Sequence, residues 1–583
     1  MNQELRNAFV TGADRMAACA DLLDNINVFP VADGDTGRNL LMTLSPLRQL
    51  RENPEHTAHQ LLLSARGNSG NIAACFFSGF LTAKTLEDIP RATALGRERA
   101  WKAVSDPRHG TMLTLFDALA EVSEHTTGGD KESVSGVIAS LEAAVRSTPR
   151  FLPILAAAGV ADAGALGMFI YLEGFFKSLA GTGSEFRSVN EIFRGMLRVS
   201  PSFLSGEETG QGYCVDLVIR PEANAEKNIR KISEYGESAV IIPGKDCLKV
   251  HMHTHDAEAV RKQMEDIGEV IRWSDDDIDT QIKHFSRHDG SASSVNGSGR
   301  RAVHIMTDAA GSLTREDSRH LGITLLDSYI SVGDKCLPET FFSPSELYAS
   351  MKNGMKVSTS QASIFERHQC YQSVLDQYER VLYLCVGSVY TGNYDVVTRW
   401  KKENDHEGRL RVIDTTAASG RLGAIVMATA KYSDGSDDPG AIADFARKAV
   451  LACEEYVFLD SLRYLAAGGR LSKTGAFFGD MFRIKPVISP TAEGAKKVGA
   501  VRNEEEQVKF ALERLSRVFG KDASPFIMLE YSDNISRISR IVRKEITKHH
   551  PGARILLQPL SLTSGAHMGP GTWAMAFLPE KFF

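Results

Sequence analysis

The chain has 583 residues, 43% hydrophobic and 24% charged, with 67 basic against 73 acidic side chains for a formal net charge of −6. One hydrophobic core does not organise that length, so roughly three or four domains are expected, and the composition excludes a disordered or fibrous chain. The charges are mixed without a long basic block, which argues against nucleic acid as a partner.

Arg6, Asp14 and Arg15 interrupt the start before a signal-peptide pattern can form. No apolar run reaches the ~20 residues of a spanning helix. Cysteines at positions 19, 75, 214, 247, 336, 370, 385 and 453 show no disulfide spacing, as expected in a reducing compartment. A cytoplasmic protein with no transmembrane segment is expected.

From Met1 to about Leu179 apolar residues recur at helical spacing, beginning with Leu5, Phe9, Met16, Ala20 and Leu23, and an all-α region is expected. Within it, NVFPVADGDTGRNL sets Asp33 and Asp35 two apart in a turn with Gly34 and Gly37. Small residues let both carboxylates converge, and Mg²⁺ prefers such hard oxygen ligands. Carboxylates bridging that ion to ATP phosphates would neutralise charge during phosphoryl transfer. An Asp-Gly turn with solvated carboxylates has the same local sequence.

SARGNSGNIAACFFSGFL next puts Gly67, Asn68, Ser69 and Gly70 at the head of an apolar helix, where free backbone N–H groups can cradle phosphate. Tight packing alone would also account for those glycines. GTMLTL, with Thr111 and Met112, follows, and then LPILAAAGVADAGALG, with Asp162, Gly164 and Gly167 in a loop that can close over a nucleotide.

From Gly212 the pattern changes to strand, helix, strand, strand, helix, strand: GYCVDLVI, EKNIRKISEYG, SAVIIPG, CLKVHMHT, AEAVRKQMEDIG and EVIRWS. That order is an α+β, ferredoxin-like plan. His251 and His253 flank Met252 on a strand, so their side chains share one face about 7 Å apart. The first and third strands of the plan are neighbours, which brings Cys214 to the same region, although a parallel pairing would leave it a few residues away. Cys214, His251 and His253 suit Zn²⁺, with water or His255 as fourth ligand. Two half-exposed histidines and a small buried cysteine would look the same.

HDGSASSVNGSG, between Arg287 and Arg301, cannot bury apolar surface and reads as a flexible linker. Beyond it, strand-like AVHIMTD, VLYLCVGS and LRVIDT alternate with helical stretches, the pattern of α/β units. Small hydroxyl residues gather at strand ends in VSTSQAS (Thr359, Ser360), VGSVYTGNYD (Ser388, Thr391, Gly392) and SGAHMGPGT (His567). Loops at strand C-termini are where α/β folds bind ligands, and RYLAAGGRLSK supplies Arg470 as a positive partner for a carboxylate. Ordinary turns and helix caps use the same residues.

Taken together, DGDTG, GNSG, GTM and DAG resemble the L-type domain of dihydroxyacetone kinases, and more closely its relative in fatty acid kinase A, over about residues 5–180. The resemblance implies a helical barrel that binds ATP at one end. In it Asp33, Asp35 and Asn27 are the Mg²⁺ ligands, and Asn39, Gly67, Asn68, Ser69, Gly70, Thr111, Met112, Asp162 and Gly164 line the nucleotide site. Ala32 stands where that family usually has proline, which loosens the loop slightly. The middle segment is similar to the middle domain of fatty acid kinase A, which implies zinc on Cys214, His251 and His253.

Residues 302–583, with TDAAGSL, RIKPVISP, GAVRNEEE and the closing HMGPGT, resemble the DegV family, a two-lobed α/β fold that binds one fatty acid with its tail buried. Thr359, Ser360, Ser388, Thr391, Gly392 and His567 match its head-group motifs and Arg470 its GGR motif; Thr391 replaces a serine. The domains implied are residues 1–185 (kinase), 186–286 (middle), 287–301 (linker) and 302–583 (acyl-binding).

Burying an acyl tail at roughly 0.8 kcal/mol per CH₂ retains the substrate, and fixing its carboxylate makes transfer a positioned step. Asp33, Asp35, Arg470 and His567 are the expected catalytic residues of a fused fatty acid kinase. Its acyl phosphate would feed an acyltransferase of phospholipid synthesis. The linker, of about 14 residues, reaches near 20 Å and allows transfer within one chain. A homodimer with transfer in trans, and transient membrane contact, are equally compatible. The other readings are a non-catalytic lipid sensor on an ATP-binding scaffold and a kinase of a dihydroxyacetone-like small molecule.

Overall fold

The computed structural model describes residues 1–50, 53–124, 130–183, 186–204, 212–222, 229, 231–278, 301–467 and 485–583. The chain divides into two compact units, Met1–Val295 and Asn296–Phe583.

The first unit begins all-helical, as the apolar spacing predicts: α1 (Gln3–Ala17), α2 (Ala20–Asn25), α3 (Thr36–Leu44), α4 (Pro54–Ser64), α5 (Gly67–Phe80), α6 (Ile89–Ala103), α7 (Met112–Glu124), α8 (Lys131–Phe151), α9 (Pro153–Ala158) and α10 (Ala163–Leu179). Side-chain caps start several of them, with Asn2 accepting the Leu5 N–H and Asp130 those of Glu132 and Ser133. Every residue of α10 from Ala163 to Phe176 is buried, and α1, α2, α3, α7 and α8 pack on it. A helix apolar all round must lie inside. The one acid on it, Glu173, is fully buried and takes the Arg15 guanidinium at 2.5 Å and Lys177 at 3.3 Å. Phe9, Phe76, Phe77, Phe80, Phe116, Tyr171 and Phe175 interlock beside it, Phe76 stacking on Phe116 at 4.1 Å.

Strands β1 (Tyr213–Pro221), β2 (Glu237–Pro243), β3 (Leu248–Thr254) and β4 (Gly268–Asp277) form a sheet in the order β2-β3-β1-β4. All three pairings are antiparallel. This corrects the parallel pairing considered for β1 and β3, because each β-to-β crossover skips one strand and the skipped strand runs the opposite way. Of the predicted helix EKNIRKISEYG, residues 226–228 and 230 lie outside the described residues, and Ile232–Glu234 form a 3-10 turn. One face of the sheet, with Val215, Leu217, Ile219, Val250 and Met252, packs on the helix Ala257–Glu265 through Val260 and Met264. Contacts of α5 with β2 and β3, and the Ser105 N–H bonded to Ala239 O at 3.0 Å, join the sheet to the helical region. The predicted linker, 287–301, lies outside the described residues except Arg301.

The second unit is α/β. Strands β5 (His304–Asp308), β6 (Thr324–Leu326), β10 (Val381–Cys385) and β11 (Leu410–Asp414) form a parallel sheet in the order β11-β10-β5-β6. Strands β7 (Ser328–Val332), β8 (Lys335–Pro338) and β9 (Val357–Gln361) make a small antiparallel sheet. A third, mixed sheet has the order β14-β13-β12-β17-β15-β16, from β12 (Glu454–Phe458), β13 (Lys485–Thr491), β14 (Gly494–Val501), β15 (Phe526–Tyr531), β16 (Arg554–Pro559) and β17 (Trp573–Leu578). One face of the mixed sheet, with Phe526, Met528, Ala576 and Leu578, shares the apolar core of the parallel sheet, and its other face has a second core in which Trp573 stacks on Phe458 at 4.0 Å. Among the described residues no helix is long and apolar enough to cross a membrane.

Candidate functional site

The four segments singled out in the helical region converge. Gly37 lets the acidic loop lie against α2, since a Cβ there would stand 1.9 Å from Ala20 O. Asp33 and Asp35 are half-buried in that loop. Burial and the Asp35 carboxylate push Asp33 well above the ordinary carboxylate range, against the pull of Arg38. Asn27 Nδ2 donates to Asp33 Oδ1 at 2.5 Å, and Thr36 Oγ1 donates to Asn27 Oδ1 at 2.9 Å while lying 3.3 Å from Ser69 Oγ.

Gly67 opens α5 with φ +58°, a conformation that suits glycine, and a Cβ there would meet Asn39 Nδ2 at 2.2 Å. Asn39 therefore abuts the Gly67–Gly70 turn. At Gly164 a Cβ would meet Met112 Cε at 2.7 Å and Ser69 Oγ at 3.4 Å, so the DAG and GTM segments close on the same turn. Thr111 precedes α7, with its hydroxyl on Arg108 O at 2.9 Å.

Asp162 and Gly164 are not in a closing loop, as the sequence suggested. Asp162 is the buried N-cap of α10, accepting the Ala165 N–H at 2.7 Å. Burial pushes its carboxyl up to about 7 against the Ala165 and Gly164 N–H groups. Because the folded value lies above the unfolded one, its stabilising contribution is complete below about pH 4 and is lost as pH rises through about 7. Asp162→Asn keeps a capping oxygen. We therefore expect urea denaturation at pH 5 and pH 8 to show a smaller loss of stability in the variant, by on the order of 2 kcal/mol.

The middle sheet adds a second cluster beside the first. Antiparallel register sets Cys214 opposite His253 and Asp216 opposite His251, all on one face. One ligand atom each from Cys214, His251 and His253 lies within 4.8 Å of the others. His251 is fully buried, and neither ring nitrogen has a hydrogen-bond partner within the structure. Burial and His251 push His253 down to about 3, with Asp216 opposing. Burial and the carboxylates of Asp216, Asp35 and Asp33 push the Cys214 thiol well up. One buried thiol and two imidazoles gathered this closely, with the Nε2 of the buried His251 unpartnered, fit a soft divalent cation, which would reverse the thiol's shift. His255 is exposed beyond the end of β3 and stands outside the cluster. Asp276, the strand partner of Cys214, is within electrostatic reach of Asp35, Arg38 and Arg66, so the acidic loop borders this sheet.

Sequence reasoning missed several residues here. Asp24, which burial pushes up to about 7, accepts the Arg38 N–H at 3.1 Å, and Arg38 Nη2 reaches Gly34 O at 3.3 Å. Asp216 and Lys249 lie on the sheet face that carries Cys214, His251 and His253. The i+2 spacing from Cys214 and to His251 was a readable signal for both.

In the second unit, Thr359 Oγ1 lies 3.0 Å from His567 Nε2, joining two predicted head-group residues 208 positions apart. Ser360, next on β9, is exposed and points to the opposite face of the sheet. A Cβ on Gly392 would meet the Gln361 amide at 3.4 Å, so the Thr391–Gly392 loop borders the end of β9. The Asn393 N–H donates to Thr391 Oγ1 at 3.3 Å, and the exposed Ser388 gives its N–H to Asp414 at 3.1 Å. Behind this loop Asp308, which the sequence pattern did not single out, accepts from Arg367, Asn393, Tyr383 and the Val386 N–H at 2.7–3.1 Å. Arg470 lies outside the described residues.

Comparison with known proteins fits this layout. Residues 30–177 match the DAK2 domain, 210–285 the fatty acid kinase A-like middle domain, and 302–580 the family described as uncharacterised protein, DegV family. An uncharacterized protein of Staphylococcus saprophyticus is 30% identical over 312 residues, covering 48% of this chain and 56% of its own. One of Staphylococcus epidermidis is 29% identical over 360 residues, covering 57% and 65%. The chain thus spans little more than half the length of these relatives. Similar solved structures are a DegV family protein from Thermus thermophilus titled for fatty acid binding (20% identity, TM-score 0.45) and DegV, a fatty acid binding protein from Bacillus subtilis (18%, 0.44). Each alignment covers 48% of this chain and 99% of the other. The chain therefore joins a DAK2 domain, a fatty acid kinase A-like middle domain and a DegV family domain in one polypeptide.

Proposed function

We propose that the chain is a fused fatty acid kinase, transferring the γ-phosphoryl group of ATP to the carboxylate of a fatty acid carried by its DegV domain. The reading is carried by the convergence of Asp33 and Asp35 with the head of α5, in a chain that also contains a DegV domain. A carboxylate oxygen attacks the γ-phosphorus, the bond to the β–γ bridging oxygen breaks, and ADP leaves; the nucleophile is already anionic and no proton is removed. The acyl phosphate is an activated anhydride suited to an acyltransferase of phospholipid synthesis.

Asp33, Asp35 and Asn27 would hold Mg²⁺, which when bound neutralises phosphate charge. Asn27 must then turn its amide oxygen toward the ion, and the Thr36 hydroxyl, both donor and acceptor, keeps a bond in either orientation. Backbone N–H groups at Asn68 and Ser69 orient the phosphates, the Gly70 N–H being held by Arg66 O at 3.1 Å, with Asn39, Thr111, Met112, Asp162 and Gly164 around them. Cys214, His251 and His253 would hold Zn²⁺. Thr359, His567, Ser388, Thr391 and Gly392 are assigned to the acyl head-group site, with Ser360 at its edge; Arg470, assigned to it from its GGR motif, lies outside the described residues. The middle domain is read as ferredoxin-like and the assembly as a homodimer.

The test is ATP consumption by the purified chain with and without added fatty acid; turnover indifferent to fatty acid would overturn the assignment. Thr359→Val and His567→Ala should each weaken acyl retention, read by native mass spectrometry of copurified fatty acid, about 10- to 100-fold, as expected for losing a hydrogen bond to a charged group. Mg·ATP binding should be unchanged in both.

A further inference from the structure

Asp216 and Lys249 have no part in the assignment above, yet they sit between its two clusters. Arg66, at the N-cap of α5, makes no side-chain capping bond. Asp216 supplies one from another domain: its Oδ2 accepts the Gly67 N–H at 3.0 Å, and its Oδ1 accepts Asn71 Nδ2 at 3.0 Å. The same carboxylate lies 2.9 Å from Lys249 Nζ through Oδ1 and 3.4 Å from His251 Nδ1 through Oδ2. Lys249 and His251 are buried, at 3% and 0% exposure. Each Asp216 oxygen thus has one partner at the head of α5 and one on β3.

We propose that Asp216 is a positioning residue that couples occupancy of the Cys214–His251–His253 site to the shape of the phosphate-binding turn at Gly67–Gly70, so that losing the metal weakens nucleotide binding. The inference rests on the kinase reading. A histidine ligand is oriented by the group on its other ring nitrogen, and with Nδ1 facing Asp216, Nε2 is left for the metal. The orientation of His251 therefore sets where Asp216 Oδ2 stands, and with it the Gly67 N–H. Gly67 has little room to absorb a shift, because Asn39 closes its other side. Lys249 matters for the same function. An unpaired carboxylate at the head of α5 would repel a phosphate, whereas the pair with Lys249 is neutral and leaves the N–H groups of Asn68 and Ser69 their attraction for an anion.

The experiment uses the full chain, wild type and Asp216→Asn. Zinc affinity is read by competition with a chromophoric chelator, and affinity for a fluorescent ATP analogue with Mg²⁺ is read in zinc-loaded and zinc-stripped protein. Stripping wild type should weaken analogue binding about 5- to 150-fold, the usual span of coupling between two sites. Asp216→Asn should bind zinc roughly 10- to 100-fold more weakly and show low analogue affinity that zinc does not change. The wild-type comparison needs no variant, so it decides the matter even where Asp216→Asn fails to fold. Wild type that binds the analogue equally well with and without zinc overturns the coupling alone. Wild type that binds none in either state overturns the kinase reading and the coupling with it.

Discussion

Asp33→Asn or Asp35→Asn is expected to lower fatty-acid-dependent ATP turnover by at least about 10³-fold, the scale on which a lost charge partner of a transferring phosphoryl group is felt. The acyl content of the purified variants should match wild type. Each substitution keeps the size of the side chain and removes one negative charge. The fold loses little by it, since burial and mutual repulsion already disfavour the ionised form of Asp33. Catalysis loses much, because an amide oxygen is a weaker ligand than a carboxylate for a hard cation. Raising Mg²⁺ should recover part of the turnover if the defect lies in cation affinity. Turnover by either variant close to wild type would remove these carboxylates from the reaction.

Arg367→Met should destabilise the DegV unit by about 3–5 kcal/mol, the cost of stranding a buried charge. Arg367 and Asp308 are 2% and 1% exposed, with Nη1 3.1 Å from Oδ1. Without the guanidinium, Asp308 keeps the Tyr383 hydroxyl, the Asn393 amide and the Val386 N–H, but no cation. The damage should extend to acyl binding, because Asn393 also anchors the Thr391 loop. Combining Arg367→Met with Asp308→Asn should cost less than the sum of the single changes, with a coupling of about 1–3 kcal/mol. Chemical denaturation of the four proteins measures this, and strict additivity would mean that the pair is not a unit.

Much of the candidate site is legible in residue order because its chemistry is local. Two carboxylates separated by one glycine, glycines at the head of an apolar helix, and histidines two apart on a strand need only short-range geometry. The four strand segments and the second helix of the middle region likewise stand where their patterns put them, whereas the first predicted helix is described only as the 3-10 turn Ile232–Glu234. Other features were misjudged where a local pattern has two outcomes. The DAG segment carries Gly and Asp, as loops do, but Asp162 caps a buried helix because the apolar run after it forms the interior of the helical region. His255 continues the His-x-His spacing, yet the strand ends at Thr254 and leaves it exposed. Ser360 adjoins Thr359 in sequence and is separated from it by the alternation of β9.

By itself the sequence determined where most of the helices and strands lie, which residue types can hold a cation or an anion, and that several domains share the chain. Periodicity and side-chain chemistry are properties of a few neighbouring residues, and so they survive without a fold. Only the tertiary structure decided that Asp216 caps α5 from 149 positions away, that Cys214 meets His253 across an antiparallel pair, and that Thr359 meets His567. Which faces pack together follows from burying all the apolar surface of a unit at once, a balance to which every element contributes and which no single segment encodes.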